Sequence, residues 1–287
     1  MERSWYWGPV TASMETADLA PGDRRPLRFD PHRVRSVVID RADDPLAIRC
    51  YDRLWEEFGE RGEMELREVI ERRFRWPTEL TPGARSFLYE MVAVLEGDSL
   101  IAVRDQSAIV AAGRVRAAVV HLSHVWIDPT WRGTGLAGWL RALPIETARR
   151  CSRLHGGPEP ARVTLVAEME HPEGGEDVAR RTRLRAYEAA GFSKIDPKGV
   201  SYQQPDFRSP EVIDRDGVKP IPLSLIVRRV GLEYETVVST DEVREIVTAL
   251  YSMYSLTNEE RHMAPLWASL ASYPPPGGIV PLVPPTR

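Results

Sequence analysis

The segment that most constrains the fold is Ala117–Asp128, AAVVHLSHVWID, which runs directly into Pro129 and a turn rich in small residues. Its β-branched and aromatic side chains suit a pleated surface, and Pro129, with no backbone N–H to give a ladder, ends the strand. From about Thr134 to Arg150 the apolar residues Leu136, Trp139, Leu140 and Leu143 fall on one helical face. Strand, Arg/Gly-rich turn and amphipathic helix in immediate succession require a layered α/β structure, and they disfavour a helical bundle or an all-β barrel.

The flanking patterns supply the other layers. Val34–Asp40 reads as a strand, followed by Asp43-Asp44-Pro45, a cap with proline at the first helical position. Leu46, Cys50, Leu54, Trp55 and Phe58 continue that helix, and a second helix is expected over Met64–Trp76, ended by Pro77. Leu88–Glu96 and Ser99–Arg104 form a hairpin about Gly97-Asp98, with Ile109–Ala112 continuing the second strand. Arg162–Ala167 is a strand, Val178–Ala190 a helix stopped by Gly191, and Ile221–Val230 a late strand. The fold class is α/β with a mixed sheet. Pro144 removes a hydrogen bond inside the helix after the turn and predicts a kink there.

Three stretches follow from this pattern. Residues 1–33 form an irregular N-terminal arm, residues 34–232 the α/β domain, and residues 233–287 a helical and Pro-rich C-terminal extension. In the extension, Ser239-Thr-Asp-Glu242 fits a capping box, with Val243, Ile246, Val247, Leu250 and Tyr254 at amphipathic spacing. That face is expected to pack on the core or on a second copy as a homodimer. A short helix restarts at Pro265, using Leu266, Trp267 and Leu270. The proline-rich end, carrying Ile279, Val280, Leu282 and Val283, is expected to be extended and to pack on something.

Composition removes several function classes. Among 287 residues, 38 Lys and Arg against 42 Asp and Glu leave a net charge of −4, which gives no bulk attraction for nucleic acid or an anionic membrane. No apolar run approaches the ~20 residues of a membrane span, and the first residues lack the apolar core of a secretory signal. Two cysteines make neither a disulfide framework nor a four-thiolate site, and the six histidines show no metal-binding spacing. A reduced, cytoplasmic, metal-free protein is expected.

The chemistry concentrates in His121-Leu-Ser-His-Val-Trp-Ile-Asp-Pro-Thr-Trp-Arg132-Gly-Thr-Gly135-Leu-Ala137. A small-residue turn opening a helix points backbone N–H groups at the positive end of the helix dipole, where a phosphate can approach the main chain. Taken alone, Arg-Gly-Thr-Gly reads as a tight structural corner. The pattern Arg132-x-x-Gly135-x-Ala137 at a strand-to-helix junction resembles the pyrophosphate loop of the GNAT superfamily of N-acetyltransferases. Tyr187-Glu-Ala-Ala-Gly191-Phe192, ending a helix and entering a strand, resembles a second feature of that family. The resemblance covers roughly residues 34–231.

It implies a GNAT-like acyl-CoA N-acyltransferase fold, acetyl-CoA as cosubstrate, and acetyl transfer to a primary amine by direct attack in a ternary complex. Arg132, Gly133, Thr134, Gly135, Leu136 and Ala137 would hold the pyrophosphate. Val125 and Ile127 would pair with the pantetheine arm, and the Val125 N–H would polarise the thioester carbonyl. Tyr187 stands where the family places the acid for the leaving thiolate, and His121 where several members carry the base; a strand histidine with a satisfied ring is the alternative. Strand alternation puts His121, Ser123, Val125 and Ile127 on one face and His124 on the other, unless the bulge common in this strand breaks the parity. Arg180 replaces the family's cofactor-contacting Asn, and with Arg181, Arg183 and Arg185 it either faces solvent or meets a CoA phosphate. Glu168 and Glu170 either attract a cationic amine or are solvated. Trp55, Phe58 and Trp76 are core or cleft wall. A catalytically silent acyl-CoA-binding or interaction module is the competing reading; neither a nucleic acid nor a membrane partner is expected.

Overall fold

A computed structural model of the chain describes residues 16–24, 27–79, 85–112, 117–170 and 178–287. The first half comprises β1 (Val34–Ile39), α1 (Pro45–Phe58), α2 (Arg67–Arg73), α3 (Trp76–Glu79), β2 (Arg85–Glu96), β3 (Ser99–Ala111) and β4 (Ala117–Ile127). Next come α4 (Leu136–Leu154), β5 (Arg162–Glu170), α5 (Val178–Ala189), β6 (Ser193–Ile195), β7 (Tyr202–Gln204) and α6 (Pro210–Asp216). The chain ends with β8 (Ile221–Arg229), β9 (Val237–Ser239), α7 (Thr240–Tyr254), α8 (Glu260–Ser269) and β10 (Ile279–Val283). The fold is mixed α/β. One sheet runs in the order β1-β2-β3-β4-β5-β8-β6-β10-β9, with β7 also on β8.

Two features of the sheet position the site. The β4–β5 pairing is parallel, whereas the neighbouring β3–β4 and β5–β8 pairings are antiparallel. It extends only from Ala117 opposite Arg162 to His121 opposite Val166. Beyond that point β4 stays with β3 while β5 continues beside β8, so the two strands part. The second feature is a bulge. Leu122 lies opposite Gln106 and His124 opposite Asp105, which leaves Ser123 with no cross-strand partner. The Asp105 carboxylate accepts the His124 N–H at 2.7 Å and holds the bulge in place.

The bulge breaks the two-residue alternation of β4, the exception that the resemblance allowed for. Before it, Val119 belongs to the cluster built with α1 and α7, and the His121 ring meets Tyr254 of α7 at 5.8 Å between centroids. After it, His124 tilts against Phe58 of α1 and Trp126 joins the same cluster, whereas Val125 and Ile127 pack with Leu136 and Leu140 of α4. His121 and His124 therefore share a face, and Val125 and Ile127 lie on the other. An extra residue shifts the two-residue period by one, and every later side chain changes side.

Helix boundaries follow local chemistry. The Asp44 carboxylate accepts the Leu46 N–H at 2.8 Å and caps α1, with Pro45 at the first position. The helix expected over Met64–Trp76 is shorter, because Pro77 sits in the first turn of α3 instead of ending α2. α4 continues unbroken through Pro144. α8 begins at Glu260 and contains Pro265, so that proline does not restart a helix. Residues 1–15 of the expected arm lie outside the described residues. The described part docks on α4 through two bidentate pairs, Asp18 with Arg149 and Asp23 with Arg141.

Residues 233–287 take part in the same sheet and core. The Ser239 hydroxyl accepts the Glu242 N–H at 3.2 Å and caps α7. Val243, Ile246, Val247, Leu250 and Tyr254 are all buried in the cluster that also contains Leu54, Tyr89 and Val166, so the amphipathic face meets its own chain. The proline-rich end contributes β10, which pairs with β6 and β9. Truncation before Ser239 should uncover that core, at about 25 cal/mol per Å² of apolar surface returned to water. Loss of soluble, cooperatively melting protein is the expected result, and a truncated chain with an unchanged melting curve would show the helix to be dispensable.

Candidate active site

Where β4 and β5 part, the main chain of β4 has an open edge. The Asp128 N–H donates to the Ile101 carbonyl at 2.9 Å, so by alternation Trp126 and His124 also direct their main-chain groups toward β3. Val125 and Ile127 then direct theirs into the parting. The Ile127 carbonyl accepts from Arg132 Nε at 3.1 Å, as this geometry requires. At the end of the edge, Gly133 has φ +77° and Gly135 φ +99°, conformations suited to glycine, and Gly135 is the N-cap of α4. Among the described residues, no hydrogen bond occupies the N–H groups of residues 133–137. They form a row of donors at the positive end of a long helix, which fits an anionic phosphate ester.

A cavity of about 300 Å³ opens beside this edge. His121, Ser123, Val125, Glu168, Tyr187 and Tyr254 all line it. The fold thus brings together the two residues singled out for proton transfer and the strand residue singled out for the carbonyl. The loop residues 132–137 lie at the end of the same strand, outside the cavity lining.

His121 is buried and bonded at both ring nitrogens. Nε2 lies 3.0 Å from a Glu168 carboxylate oxygen and Nδ1 lies 3.2 Å from the Ser123 hydroxyl. An ionised carboxylate can only accept, so Nε2 carries a hydrogen, while the Ser123 hydroxyl can either donate to Nδ1 or accept from it. Glu168 is itself caged by donors: the Tyr202 hydroxyl, Gln204 Nε2 at 2.8 Å and the Tyr254 hydroxyl at 2.8 Å. Burial acts to raise the Glu168 carboxyl, but His121 and the Tyr202 and Tyr254 hydroxyls together hold it below its ordinary value. Glu168 is therefore the caged partner of His121, and it also lines the cavity. Glu170 is exposed and pairs with Arg183 at 2.9 Å.

Tyr187 is buried near the end of α5, its ring edge-to-face with Phe192 at 4.9 Å. The Arg141 guanidinium lies 6.0 Å from the centre of the same ring. On the sheet beneath, Arg104 of β3 sits directly opposite Val125 and is only 1% exposed. Among the described residues its Nε and Nη1 have no hydrogen-bond partner. Burial lowers its pKa, and the adjacent Tyr187 hydroxyl offsets part of that. Arg104 escaped the sequence reading as a site residue, although an arginine directly after the apolar run Leu100–Val103 was its visible signal.

His124 has a different part. Its Nδ1 faces the Asp105 carboxylate at 3.1 Å and its Nε2 the Glu63 carbonyl at 3.0 Å. Two acceptors need two ring hydrogens, so His124 is an imidazolium bound to a buried carboxylate. Burial opposes that charge, while Asp105 raises the imidazole above its usual range. This pair ties the segment after α1 to the bulge. Tyr202, Gln204 and Tyr254 were also missed, since each reaches Glu168 from a distant part of the chain. Phe58 lines the cavity, whereas Trp76 is core.

No family model and no curated protein sequence matches the chain. Solved structures do. A GNAT family acetyltransferase from Elizabethkingia anophelis with acetyl-CoA bound shares 12% identity over 69% of this chain and 98% of that one, with a TM-score of 0.34. An acetyltransferase from Thermus thermophilus shares 17% over 71% and 99%, TM-score 0.35. An acetyltransferase of the GNAT family from Streptococcus pneumoniae shares 11% over 68% and 99%, TM-score 0.35. Among the described residues, no helix is long and apolar enough to cross a membrane, and no cluster of His, Cys, Asp or Glu could hold a metal.

Proposed function

We propose that the chain is a GNAT-type N-acetyltransferase that moves an acetyl group from acetyl-CoA to a primary amine by direct attack in a ternary complex. One observation carries this reading: a single cavity joins the open edge of β4 at Val125, the His121–Glu168 pair and Tyr187. The donor row at residues 133–137 suits the pyrophosphate, and the Val125 and Ile127 main-chain groups suit the pantetheine amides. The Val125 N–H faces the place where negative charge develops on the thioester carbonyl. His121 Nδ1 takes a proton from the attacking amine, and Glu168 stabilises the imidazolium that forms. The N–C bond then forms and the C–S bond breaks, with the thiolate taking the Tyr187 hydroxyl proton, the phenolate recovering the second proton that the nitrogen loses, and the imidazolium releasing the first to solvent. Buried Cys50 and Cys151, in no disulfide, suit a reducing compartment such as the cytoplasm.

The direct test combines acetyl-CoA calorimetry with release of free CoA across a panel of primary amines. Binding without turnover on any amine would leave a silent acyl-CoA-binding module. A sharper test of the loop is Gly133→Asp. A Cβ at Gly133 meets nothing, and aspartate tolerates positive φ better than most residues. Its carboxylate favours the helix N-terminus but repels a pyrophosphate, so the fold should survive while acetyl-CoA affinity falls at least ~10-fold. Unchanged affinity in a folded Gly133→Asp protein would remove the loop from the binding site.

A further inference from the structure

We propose that Ser123 is an acyl-accepting nucleophile, and that the chain hydrolyses acyl-CoA through an acyl-serine when no amine occupies the site. The proposal rests on the acyl-CoA reading above but assigns a different activity to the cavity. Ser123 is the extra residue of the β4 bulge, with no residue opposite it on β3. Its side chain lines the cavity, and among the described residues His121 Nδ1, at 3.2 Å, is its only hydrogen-bond partner. The far side of that ring meets Glu168 at 3.0 Å. Hydroxyl, imidazole and buried carboxylate thus stand in the order of a serine-hydrolase triad, with the two ring nitrogens exchanged. The triad is recognised by geometry and roles, and both are present here. Val125, two residues further along the strand, supplies an N–H directed into the same parting.

The chemistry balances with water as the second reactant. Ser123 Oγ adds to the thioester carbonyl while its proton passes to His121 Nδ1. The C–S bond breaks, and the thiolate takes the Tyr187 hydroxyl proton. The imidazolium releases its proton to solvent and the phenolate recovers one. Water then attacks the ester carbonyl and gives a proton to Nδ1. The ester C–O bond breaks, and Ser123 recovers that proton, leaving a free carboxylic acid and CoA. An amine in the cavity competes for the same base, which is why this branch runs when the acceptor is absent.

The experiment uses the full chain with acetyl-CoA and no amine. Free CoA is followed over time, the intact mass is read after a rapid acid quench, and acetyl-CoA binding is measured by calorimetry. The expected result is acceptor-independent CoA release with an acetyl adduct that maps to Ser123. Ser123→Ala should lose the adduct and lower the release by roughly 10²-fold or more, with an unaltered melting curve showing that it is folded. Ser123→Cys should restore an acetyl adduct, now at the thiol, which a purely structural hydroxyl would not produce. If the wild-type protein binds acetyl-CoA but carries no adduct and releases no CoA, the serine proposal falls and the transferase reading stands. Hydrolysis at the wild-type rate by folded Ser123→Ala would likewise overturn it. Absence of acetyl-CoA binding would take down both.

Discussion

Tyr187→Phe is expected to lower acetyl transfer by roughly 10²-fold or more, with little change in acetyl-CoA affinity. Phenylalanine keeps the ring that packs on Phe192 and lies under Arg141, so the local packing survives. What disappears is the hydroxyl that lines the cavity on the α5 side, the proposed donor to the leaving thiolate. A second consequence separates this change from a simple packing loss. Arg104 is buried with two guanidinium nitrogens unpartnered among the described residues, and the Tyr187 oxygen is among the few polar atoms beside it. Removing that oxygen worsens the solvation of a buried cation, so the melting temperature should also fall. The double change Arg104→Met with Tyr187→Phe should then recover part of the lost stability, because an apolar pair replaces an orphaned charge. Full turnover in Tyr187→Phe would pass the leaving-group proton to water or to the acceptor.

The parts of this site that were legible in sequence are those written into local periodicity. Ala117–Ile127, the glycine turn and the start of α4 are contiguous, and the strand and helix periods plus two glycines at positive φ are enough to place them. Tyr187 was singled out through the resemblance of Tyr187-Glu-Ala-Ala-Gly191-Phe192 to the family pattern, and Gly191, at φ +77°, marks the end of its helix. The bulge was not. It depends on the Asp105 carboxylate taking the His124 N–H, a contact from the neighbouring strand that no window of β4 contains. The cage on Glu168 was equally hidden, since its donors Tyr202, Gln204 and Tyr254 stand 34, 36 and 86 residues away. Tyr254 is instructive: helical spacing marked it as one more apolar contact of α7, whereas its hydroxyl reaches the carboxylate behind His121. β10 escaped because Pro281 argues against a strand, yet it sits between β6 and β9 with its carbonyl accepting the Asp196 N–H at 3.1 Å.

His121→Ala is expected to reduce acetyl transfer by roughly 10²- to 10⁴-fold at neutral pH, the range for loss of a general base. The comparison that assigns the roles is with Glu168→Gln. The glutamine oxygen can keep the bonds from His121, Gln204 and Tyr254, while the Tyr202 hydroxyl turns to accept from the new amide. Ring and tautomer are then preserved and only the negative charge is lost, so Glu168→Gln should be impaired less than His121→Ala. Stability gives an independent reading of the same carboxylate. Because its folded pKa lies below the unfolded value, Glu168 contributes stability that is fully present above the unfolded carboxyl range. That contribution is lost as pH falls through the lower, folded value. Glu168→Gln cannot show this loss, so its stability should fall less steeply on acidification than that of the wild-type protein. If acid denaturation of the two proteins has the same pH dependence, the carboxylate is not held ionised by its cage. Turnover in Glu168→Gln as low as in His121→Ala would make the charge, and not the position of the ring, the larger part of what Glu168 supplies.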